Sequence, residues 1–233
     1  MKGSAYRLAQ TLPQQMPEGL WERLQRRFDA GATAALVGLP LGDERAGYTN
    51  SAAGLAPGQP LYRYDKQHLV PFGEFIPFAF KWFTRMMDIP LGDFERGPLV
   101  APSFVVRGER VAPNICYEDL FGEELAARFA PPGDAPTVLA NLSNIGWFGR
   151  SIAIGQHLQI SRLRTLELQR PMLRATNTGA TVAIDHRGRV TAGLEPHTRG
   201  VLQAKVQGRE GLTPFVAWAS RFDLWPLWAA ALA

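Results

Sequence analysis

The hydrophobic positions of this chain follow a helical period first and strand periods afterwards. Leu20, Leu24 and Phe28 recur every four residues, which predicts an amphipathic helix over residues 20–30. Short apolar runs then predict three strands, over residues 34–39, 50–55 and 61–64, and the first of them is expected to end at Pro40. A helix followed by paired strands predicts an α/β sandwich.

The second half of the chain continues this alternation. Residues 104–106 and Val111 predict strands on either side of a turn at Gly108, and residues 118–129 predict one helix with an apolar side. The remaining apolar runs predict a helix over residues 151–168 and strands over residues 138–142, 172–176, 181–184 and 201–206, with a further strand residue at Val190 after a turn at residues 185–188.

Two segments carry more apolar surface than these elements need. Residues 75–91 mix seven aromatic and methionine side chains with Lys81 and Arg85, which fits either core packing or an amphipathic arm that enters a membrane surface. After Asp223 the last ten residues are nearly all apolar, whereas a spanning helix needs about 20. We therefore expect a domain over residues 1–211 and the start of a C-terminal membrane segment over residues 212–233. An amphipathic tail packed on the domain is the alternative.

Composition narrows the class of protein. The chain has 233 residues, 23 glycines and 18 prolines, which favours one domain of many short elements over a helical bundle. Its formal charge of +4 is dispersed along the sequence, and no basic patch is interleaved with aromatic residues, so we expect no nucleic-acid partner. Residues 1–15 lack the apolar segment of a signal peptide.

The only cysteine, Cys116, lies where a predicted strand meets a predicted helix. A thiol at such an elbow is either a small buried apolar group or a nucleophile. We expect the N-terminus of the following helix to favour the thiolate. One cysteine also excludes a disulfide within the chain.

Lys66 and Glu74 lie eight positions apart, after the third strand and around proline and glycine turns. A lysine is usually a solvated surface charge, but a cation near a thiolate lowers its pKa and stabilises an oxyanion. A second polar run, Asn141 to Asn144, follows a buried strand. His68 and His157 are interpreted as structural hydrogen-bonding groups.

Three separated motifs agree in order and spacing: YDKQHLVPFGE over residues 64–74, NICYE over residues 114–118, and NLSN with WF over residues 141–148. They resemble the carbon–nitrogen hydrolase (nitrilase) superfamily and, within it, the membrane branch formed by the apolipoprotein N-acyltransferases. The resemblance runs from about residue 20 to the C-terminus and includes residues 170–171, 174–179 and 212–214.

The resemblance implies a nitrilase-type α-β-β-α sandwich and a Glu-Lys-Cys triad. Cys116 corresponds to the nucleophile, Lys66 to the cation that stabilises the tetrahedral intermediate, and Glu74 to an additional glutamate that orients the site. The motifs carry over the supporting positions Tyr117, Glu118, Asn141, Ser143, Asn144 and Trp147.

The resemblance also implies the reaction and its partners. An acyl chain passes from a phospholipid, chiefly phosphatidylethanolamine, to Cys116 as a thioester, and then to the N-terminal amine of a diacylated apolipoprotein. No metal or other cofactor is needed. The implied location is the bacterial inner membrane, with the catalytic domain on the periplasmic side.

The sequence departs from the family at its front. The family's base is a glutamate in a Pro-Glu-(Ser/Thr)-Ala context, and here Gly3-Ser4-Ala5 stands in that place. We therefore expect the C-terminal part of such an enzyme, incomplete at its N-terminus and inactive alone. The alternatives are a soluble nitrilase or amidase that hydrolyses a small C–N bond, and a catalytically incomplete remnant.

Overall fold

The structure is a computed structural model that describes residues 19–43, 45, 47–77, 94–131 and 133–232, apart from the side chain of Trp147. The chain forms two compact units, Met1–Pro98 and Leu99–Ala233.

The described part of the first unit is a helix followed by a three-stranded antiparallel sheet. Helix α1 spans Leu20–Asp29, and the strands in sheet order are β1 (Ala35–Asp43), β2 (Gly47–Leu55) and β3 (Tyr62–Asp65). Helix α1 contacts β2, and Asp29 at its end accepts a hydrogen bond of 2.9 Å from the backbone N–H of Gly58 in the β2–β3 turn. The predicted helix and three strands are thus confirmed.

Strand β1 is longer than expected, because it continues through Pro40 to Asp43. Proline has no N–H for a ladder and is tolerated where a strand has no neighbour on one side. In the described sheet, β1 pairs only with β2, so the missing donor leaves the pairing intact.

The second unit contains a six-stranded mixed sheet. Its strands in sheet order are β4 (Phe104–Val106), β5 (Glu109–Ile115), β6 (Val138–Ser143), β7 (Met172–Thr176), β8 (Val182–Ile184) and β9 (Val190–Gly193). Strands β5, β6 and β7 are parallel, and the other pairs are antiparallel. The carboxyl ends of the three parallel strands therefore meet at one edge, where ligand sites form in α/β sheets.

Helices complete this unit. A 3-10 helix spans Cys116–Leu120, α2 spans Gly122–Ala127, and a second 3-10 helix spans Gly146–Phe148; α3 spans Ala153–Leu168, α4 Pro214–Phe222 and α5 Trp225–Leu232. Leu125 and Ala126 of α2, Leu168 of α3 and Val216 and Ala219 of α4 are buried in one core with residues of the sheet.

One face of the sheet carries two rows of side chains aligned by strand register. The first row is apolar and consists of Ala112, Leu139, Met172 and Ile184. The second row lies two residues nearer the carboxyl ends of the parallel strands and is polar until its last member: Asn114, Asn141, Arg174 and Val182. All three polar residues are buried. The same face thus changes from core to polar network as it approaches Cys116.

Two predictions of secondary structure were wrong. Residues 118–129 do not form one helix, because Phe121, with φ −99° and ψ 85°, separates the 3-10 helix from α2. Residues 201–206 form no strand, and the last strand of the described sheet is β9. Val201 is 86% exposed, so its side chain does not pack against the sheet.

The C-terminal apolar segment forms two short helices that differ in burial. Helix α4 packs in the core of the second unit, as the packed-tail alternative expected, whereas Trp225, Leu227, Trp228 and Leu232 of α5 are exposed. Asp223, in a conformation with φ 54°, separates the two. Among the described residues, no helix combines the length and apolar character required to cross a bilayer. Most of the aromatic segment over residues 75–91 lies outside the described residues.

Candidate active site

Cys116 is the residue at which the chain leaves β5 and enters the first 3-10 helix. Its side chain is a free thiol and is partly exposed. Its φ of 57° places it in the left-handed region, which costs a residue other than glycine on the order of 1–3 kcal/mol. Such a conformation persists only where its surroundings hold it.

Side chains from three elements hold the backbone around Cys116. Glu118 accepts a hydrogen bond of 2.6 Å from the N–H of Ile115, immediately before the cysteine. The carbonyl oxygen of Cys116 accepts hydrogen bonds from Asn141 Nδ2 at 2.8 Å and from His157 Nε2 at 3.1 Å. The elbow predicted from the sequence is therefore present, and it is fixed on both sides of the cysteine.

The helix that begins at Cys116 differs in type and length from the one predicted. Cys116 opens a 3-10 helix of five residues whose first turn carries Glu118 and Asp119. A helix favours an anion through the free N–H groups of a regular first turn, and two acidic side chains oppose that effect.

Behind the elbow lies a buried cluster of Asp119, His157, Ser161 and Arg174. Asp119 accepts hydrogen bonds from His157 Nε2 at 3.0 Å and from Arg174 Nη1 at 3.2 Å, and Ser161 donates to the same carboxylate. Arg174 Nη2 donates to His157 Nδ1 at 2.8 Å, and Arg174 also donates to the Ser161 hydroxyl. The cluster joins the 3-10 helix, α3 and β7.

These contacts determine the tautomer of His157. A guanidinium group can only donate hydrogen bonds, so Nδ1 of His157 must carry a lone pair. The ring proton is then on Nε2, which donates to both the Cys116 carbonyl and the Asp119 carboxylate. His157 is a neutral donor to the backbone of Cys116, which agrees with the structural role predicted for it.

Arg174 remains charged at a cost. Burial lowers the pKa of its guanidinium from the ordinary value, while the charges of Asp119 and of a Cys116 thiolate raise it. Asp119 is therefore the counterion that keeps a cation stable in this interior.

Three side-chain atoms at the carboxyl ends of β5 and β6 have no hydrogen-bond partner within the described residues. They are Asn114 Nδ2, Asn141 Oδ1 and Ser143 Oγ, and all three are buried. Asn141 also donates to Asn114 Oδ1 at 2.6 Å. Buried polar atoms normally find partners, so these atoms mark a place where a substrate or solvent group can be bound.

Asn144 belongs to a clamp between the loops after β6 and β7. Its Oδ1 accepts hydrogen bonds from Asn177 Nδ2 at 2.6 Å and from the N–H of Gly146 at 3.2 Å. Asn177 in turn accepts from the N–H of Ile145 at 3.1 Å. The backbone that carries Trp147, in the second 3-10 helix, is thereby tied to the neighbouring loop.

In the first unit, Lys66 and Glu74 form a buried ion pair. Lys66 Nζ lies 2.7 Å from Glu74 Oε2, and neither side chain is more than 2% exposed. The same oxygen accepts from the N–H of Val70 at 2.8 Å, and Oε1 accepts from Asn50 Nδ2 at 2.7 Å. Lys66 is therefore not the solvated surface charge that an isolated lysine usually is.

The backbone of Lys66 is fixed as firmly as its side chain. Its N–H donates to Asn50 O at 2.8 Å, and its carbonyl accepts from the N–H of Gly97 at 2.9 Å. A Cβ at position 97 would lie 2.1 Å from the carbonyl oxygen of Asp65, so only glycine fits there without movement. Asp65 itself accepts hydrogen bonds from Thr49, Ser51 and Arg63.

The structure brings together several residues predicted for the site. Cys116, Glu118 and Asn141 lie in one hydrogen-bonded group, and Tyr117 contacts Phe121 edge to face at 5.5 Å. Gly3-Ser4-Ala5 lies outside the described residues. Within the described residues no group of three or more His, Cys, Asp or Glu could hold a metal ion.

Sequence analysis missed Asn114, Asp119, Ser161 and Arg174. The sequence did carry a signal for Arg174. It lies two positions after the apolar Met172 and therefore on the same face of the predicted strand, where a charged side chain requires a buried partner. Nothing in the sequence indicated that this partner would be Asp119.

Two features of the structure agree with the class of protein that the sequence resembles. The second unit has a thiol at the carboxyl edge of the parallel strands of a mixed sheet, and the first unit has a buried lysine–glutamate pair. Residues 13–214 match the carbon–nitrogen hydrolase family, and the chain therefore belongs to that family. An amidase from Nesterenkonia sp. has the same fold, with a TM-score of 0.64 and 18% identity over 97% of this chain and 78% of the amidase chain. The predicted fold class is confirmed.

Relatives of higher sequence identity share one more specific name. The apolipoprotein N-acyltransferase of Verminephrobacter eiseniae (strain EF01-2) is 61% identical over 222 residues, which cover 91% of this chain and 41% of that protein. The apolipoprotein N-acyltransferase of Ralstonia nicotianae is 55% identical over 206 residues, covering 88% and 39%. The chain thus spans about two fifths of the length of these relatives.

Proposed function

We propose that this chain carries the acyl-transferring thiol of an apolipoprotein N-acyltransferase. The observation that carries the proposal is the position of its only cysteine, partly exposed in a left-handed conformation at the end of a parallel strand. The names of relatives that are 55–61% identical over about nine tenths of the chain support the choice of this chemistry within the family.

The reaction has two balanced steps. The Cys116 thiolate attacks the carbonyl carbon of the sn-1 ester of a phospholipid such as phosphatidylethanolamine; a C–S bond forms, the ester C–O bond breaks, and the lysophospholipid leaves with a proton. The N-terminal amine of a diacylated apolipoprotein then attacks the thioester. A C–N bond forms, the C–S bond breaks, and the proton that the amine loses goes to the sulfur, which regenerates the thiol; the proton that this thiol gives up on becoming a thiolate is the one that the lysophospholipid oxygen takes. Neither step needs a metal or another cofactor.

Lys66 is assigned to the oxyanion that develops during each attack. An ammonium stabilises this charge best when it is already in place and shielded from water. The buried pair with Glu74 supports the assignment, because Glu74 also accepts hydrogen bonds from Asn50 and Val70 and is itself immobilised. Glu74 is therefore assigned to orienting Lys66.

The supporting residues divide into two groups. Glu118 and Asn141 hold the backbone on either side of the thiol. Ser143, with a hydroxyl that has no partner in the described residues, and Asn144, which braces the loop of Trp147, are assigned to the substrate side. Tyr117, next to the nucleophile, is assigned there as well.

The proposal places the protein at the bacterial inner membrane, with its catalytic domain on the periplasmic side. The exposed tryptophan and leucine side chains of α5 support contact with lipid. Within residues 212–233, α4 packs on the domain, and the proposed membrane segment begins with α5.

The test asks whether the protein transfers an acyl chain to a lipopeptide or hydrolyses short amides. The protein is expressed together with any sequence that adjoins it in its gene. Phosphatidylethanolamine labelled in the sn-1 chain and a diacylated lipopeptide should yield a labelled triacylated lipopeptide of altered gel mobility. The Cys116→Ala protein should yield none. Release of ammonia from short amides without transfer to the lipopeptide would instead establish the soluble amidase and refute the proposal.

A further inference from the structure

The cluster behind the nucleophile contacts the backbone of Cys116 at one point, the carbonyl oxygen. His157 Nε2 donates to this oxygen, and so does Asn141 Nδ2. The two donors come from different elements, since His157 is on α3 and Asn141 is on β6. A planar peptide bond turns as one body. Holding the carbonyl therefore fixes the whole peptide between Cys116 and Tyr117.

His157 can hold the carbonyl only while its proton stays on Nε2. Arg174 enforces this tautomer by donating to Nδ1, and Asp119 supports it by accepting from Nε2. Asp119 also accepts from Ser161 and Arg174, which fixes the carboxylate. The relay from Arg174 through His157 to Cys116 thus consists of contacts between buried side chains with defined donors and acceptors.

This arrangement differs from that of a histidine acting as a general base. The Nε2 atom carries a proton and donates it in hydrogen bonds to a carbonyl and a carboxylate, and Nδ1 accepts a hydrogen bond from a guanidinium. Neither nitrogen is available to accept a proton from the thiol. The histidine instead acts on the conformation of the residue that carries the thiol.

We infer that His157, Asp119 and Arg174 are positioning residues, which hold Cys116 in its left-handed conformation by fixing the tautomer of His157 and its hydrogen bond to the Cys116 carbonyl. The inference rests on the proposed function only in that the thiol accepts an acyl group. The conformation itself and the hydrogen bonds that hold it do not depend on the identity of the acyl donor.

A spectroscopic test follows from the presence of a single cysteine. Cysteine labelled with 13C at its carbonyl carbon places one labelled carbonyl in the entire chain. A carbonyl resonance moves upfield when a hydrogen bond to its oxygen is lost. His157→Leu should move the resonance upfield, and His157→Gln, which can still present an N–H donor, should return it towards the wild-type position.

The second readout is the rate of acylation of Cys116. His157→Leu should slow the acylation rate constant by about tenfold or more, as expected for a displaced reacting group, while the apparent affinity for the acyl donor changes less than twofold. His157→Gln should recover most of the rate. The matched control is Thr165→Val, which is also buried on α3 but whose hydroxyl donates to Arg162 O, outside the cluster; this change should alter neither readout.

If His157→Leu does not fold, Asp119→Asn is measured in its place. It keeps the size of the side chain but replaces one acceptor oxygen with a donor facing Ser161 and Arg174, so it should change both readouts in the same direction. An unmoved carbonyl resonance in the folded variants would overturn the inference, and so would a moved resonance with an unchanged acylation rate.

A separate measurement distinguishes failure of the proposed acyl transfer from failure of the positioning role. If the wild-type protein accepts no acyl group, the rate constant for alkylation of Cys116 by iodoacetamide replaces the acylation rate. His157→Leu should then change this rate constant at least threefold in either direction, with recovery in His157→Gln. Equal rate constants in all the variants would overturn the positioning role whatever the natural substrate is.

Discussion

The ion pair of Lys66 and Glu74 gives a sharp prediction about stability at the level of single residues. Glu74→Leu leaves a buried ammonium uncompensated, so we expect the free energy of unfolding to fall by about 3–5 kcal/mol. The double variant Lys66→Met/Glu74→Leu removes both charges and should be more stable than the sum of the two single losses predicts. Urea unfolding of the four proteins measures this coupling, and strictly additive losses would contradict it.

The residues of the site could be predicted to different extents from the sequence. Cys116, Lys66 and Glu74 lie in motifs, and each was placed correctly relative to the end of a strand. Asp119 and Ser161 could not be predicted as partners, because they are 42 positions apart and meet only when the 3-10 helix packs against α3. The left-handed conformation of Cys116 had no sequence signal either, since it is imposed by contacts from β6 and α3.

Among the elements, the start of α4 depends on Thr213. Its hydroxyl accepts a hydrogen bond from the N–H of Val216 at 3.1 Å and donates to Glu167 O, near the end of α3, at 2.7 Å. Thr213→Ala removes both contacts, and we expect it to lower the free energy of unfolding by about 1–2 kcal/mol. Thr213→Ser preserves the hydroxyl and should lose much less; equal losses in thermal or urea unfolding would show that the cap is unimportant.

Helix α5 is expected to give the protein affinity for membranes. Each of its exposed large side chains would contribute roughly 1.5–3 kcal/mol on burial in lipid, and such burial is not screened by salt. We expect the protein to float with liposomes in low and high salt, and the variant Trp225→Ser/Trp228→Ser to float less. Binding that disappears in high salt, or that the two substitutions leave unchanged, would contradict this role of α5.

The elements that were predicted wrongly share a physical cause. The residues after Cys116 have helical propensity, but Glu118 binds the N–H of Ile115 and Asp119 turns into the interior, which favours a tight 3-10 turn over an α-helix. Residues 201–206 have a local pattern typical of a strand, yet they pair with no strand of the described sheet. In both places the local pattern predicted a regular element that the folded chain does not form.

At the scale of the whole molecule, the family and its fold could be predicted because three motifs kept their order and spacing across 85 residues. The buried polar row of Asn114, Asn141 and Arg174 could not be predicted, since it exists only through the register of three parallel strands. This row separates the core of the second unit from the edge that carries the thiol. Because of this row, the sheet has an apolar core in its middle and polar side chains next to the reactive cysteine at its end.

Cys116 is proposed to become a thioester with an acyl chain taken from a phospholipid. The most direct measurement incubates the protein, expressed with any adjoining sequence of its gene, with phosphatidylethanolamine labelled in the sn-1 chain and without acceptor. We expect one labelled protein adduct that hydroxylamine releases, that maps to the peptide containing Cys116, and that a diacylated lipopeptide discharges. Label of equal intensity on the Cys116→Ala protein would show that another residue is acylated, and label that resists hydroxylamine would show that the adduct is not a thioester.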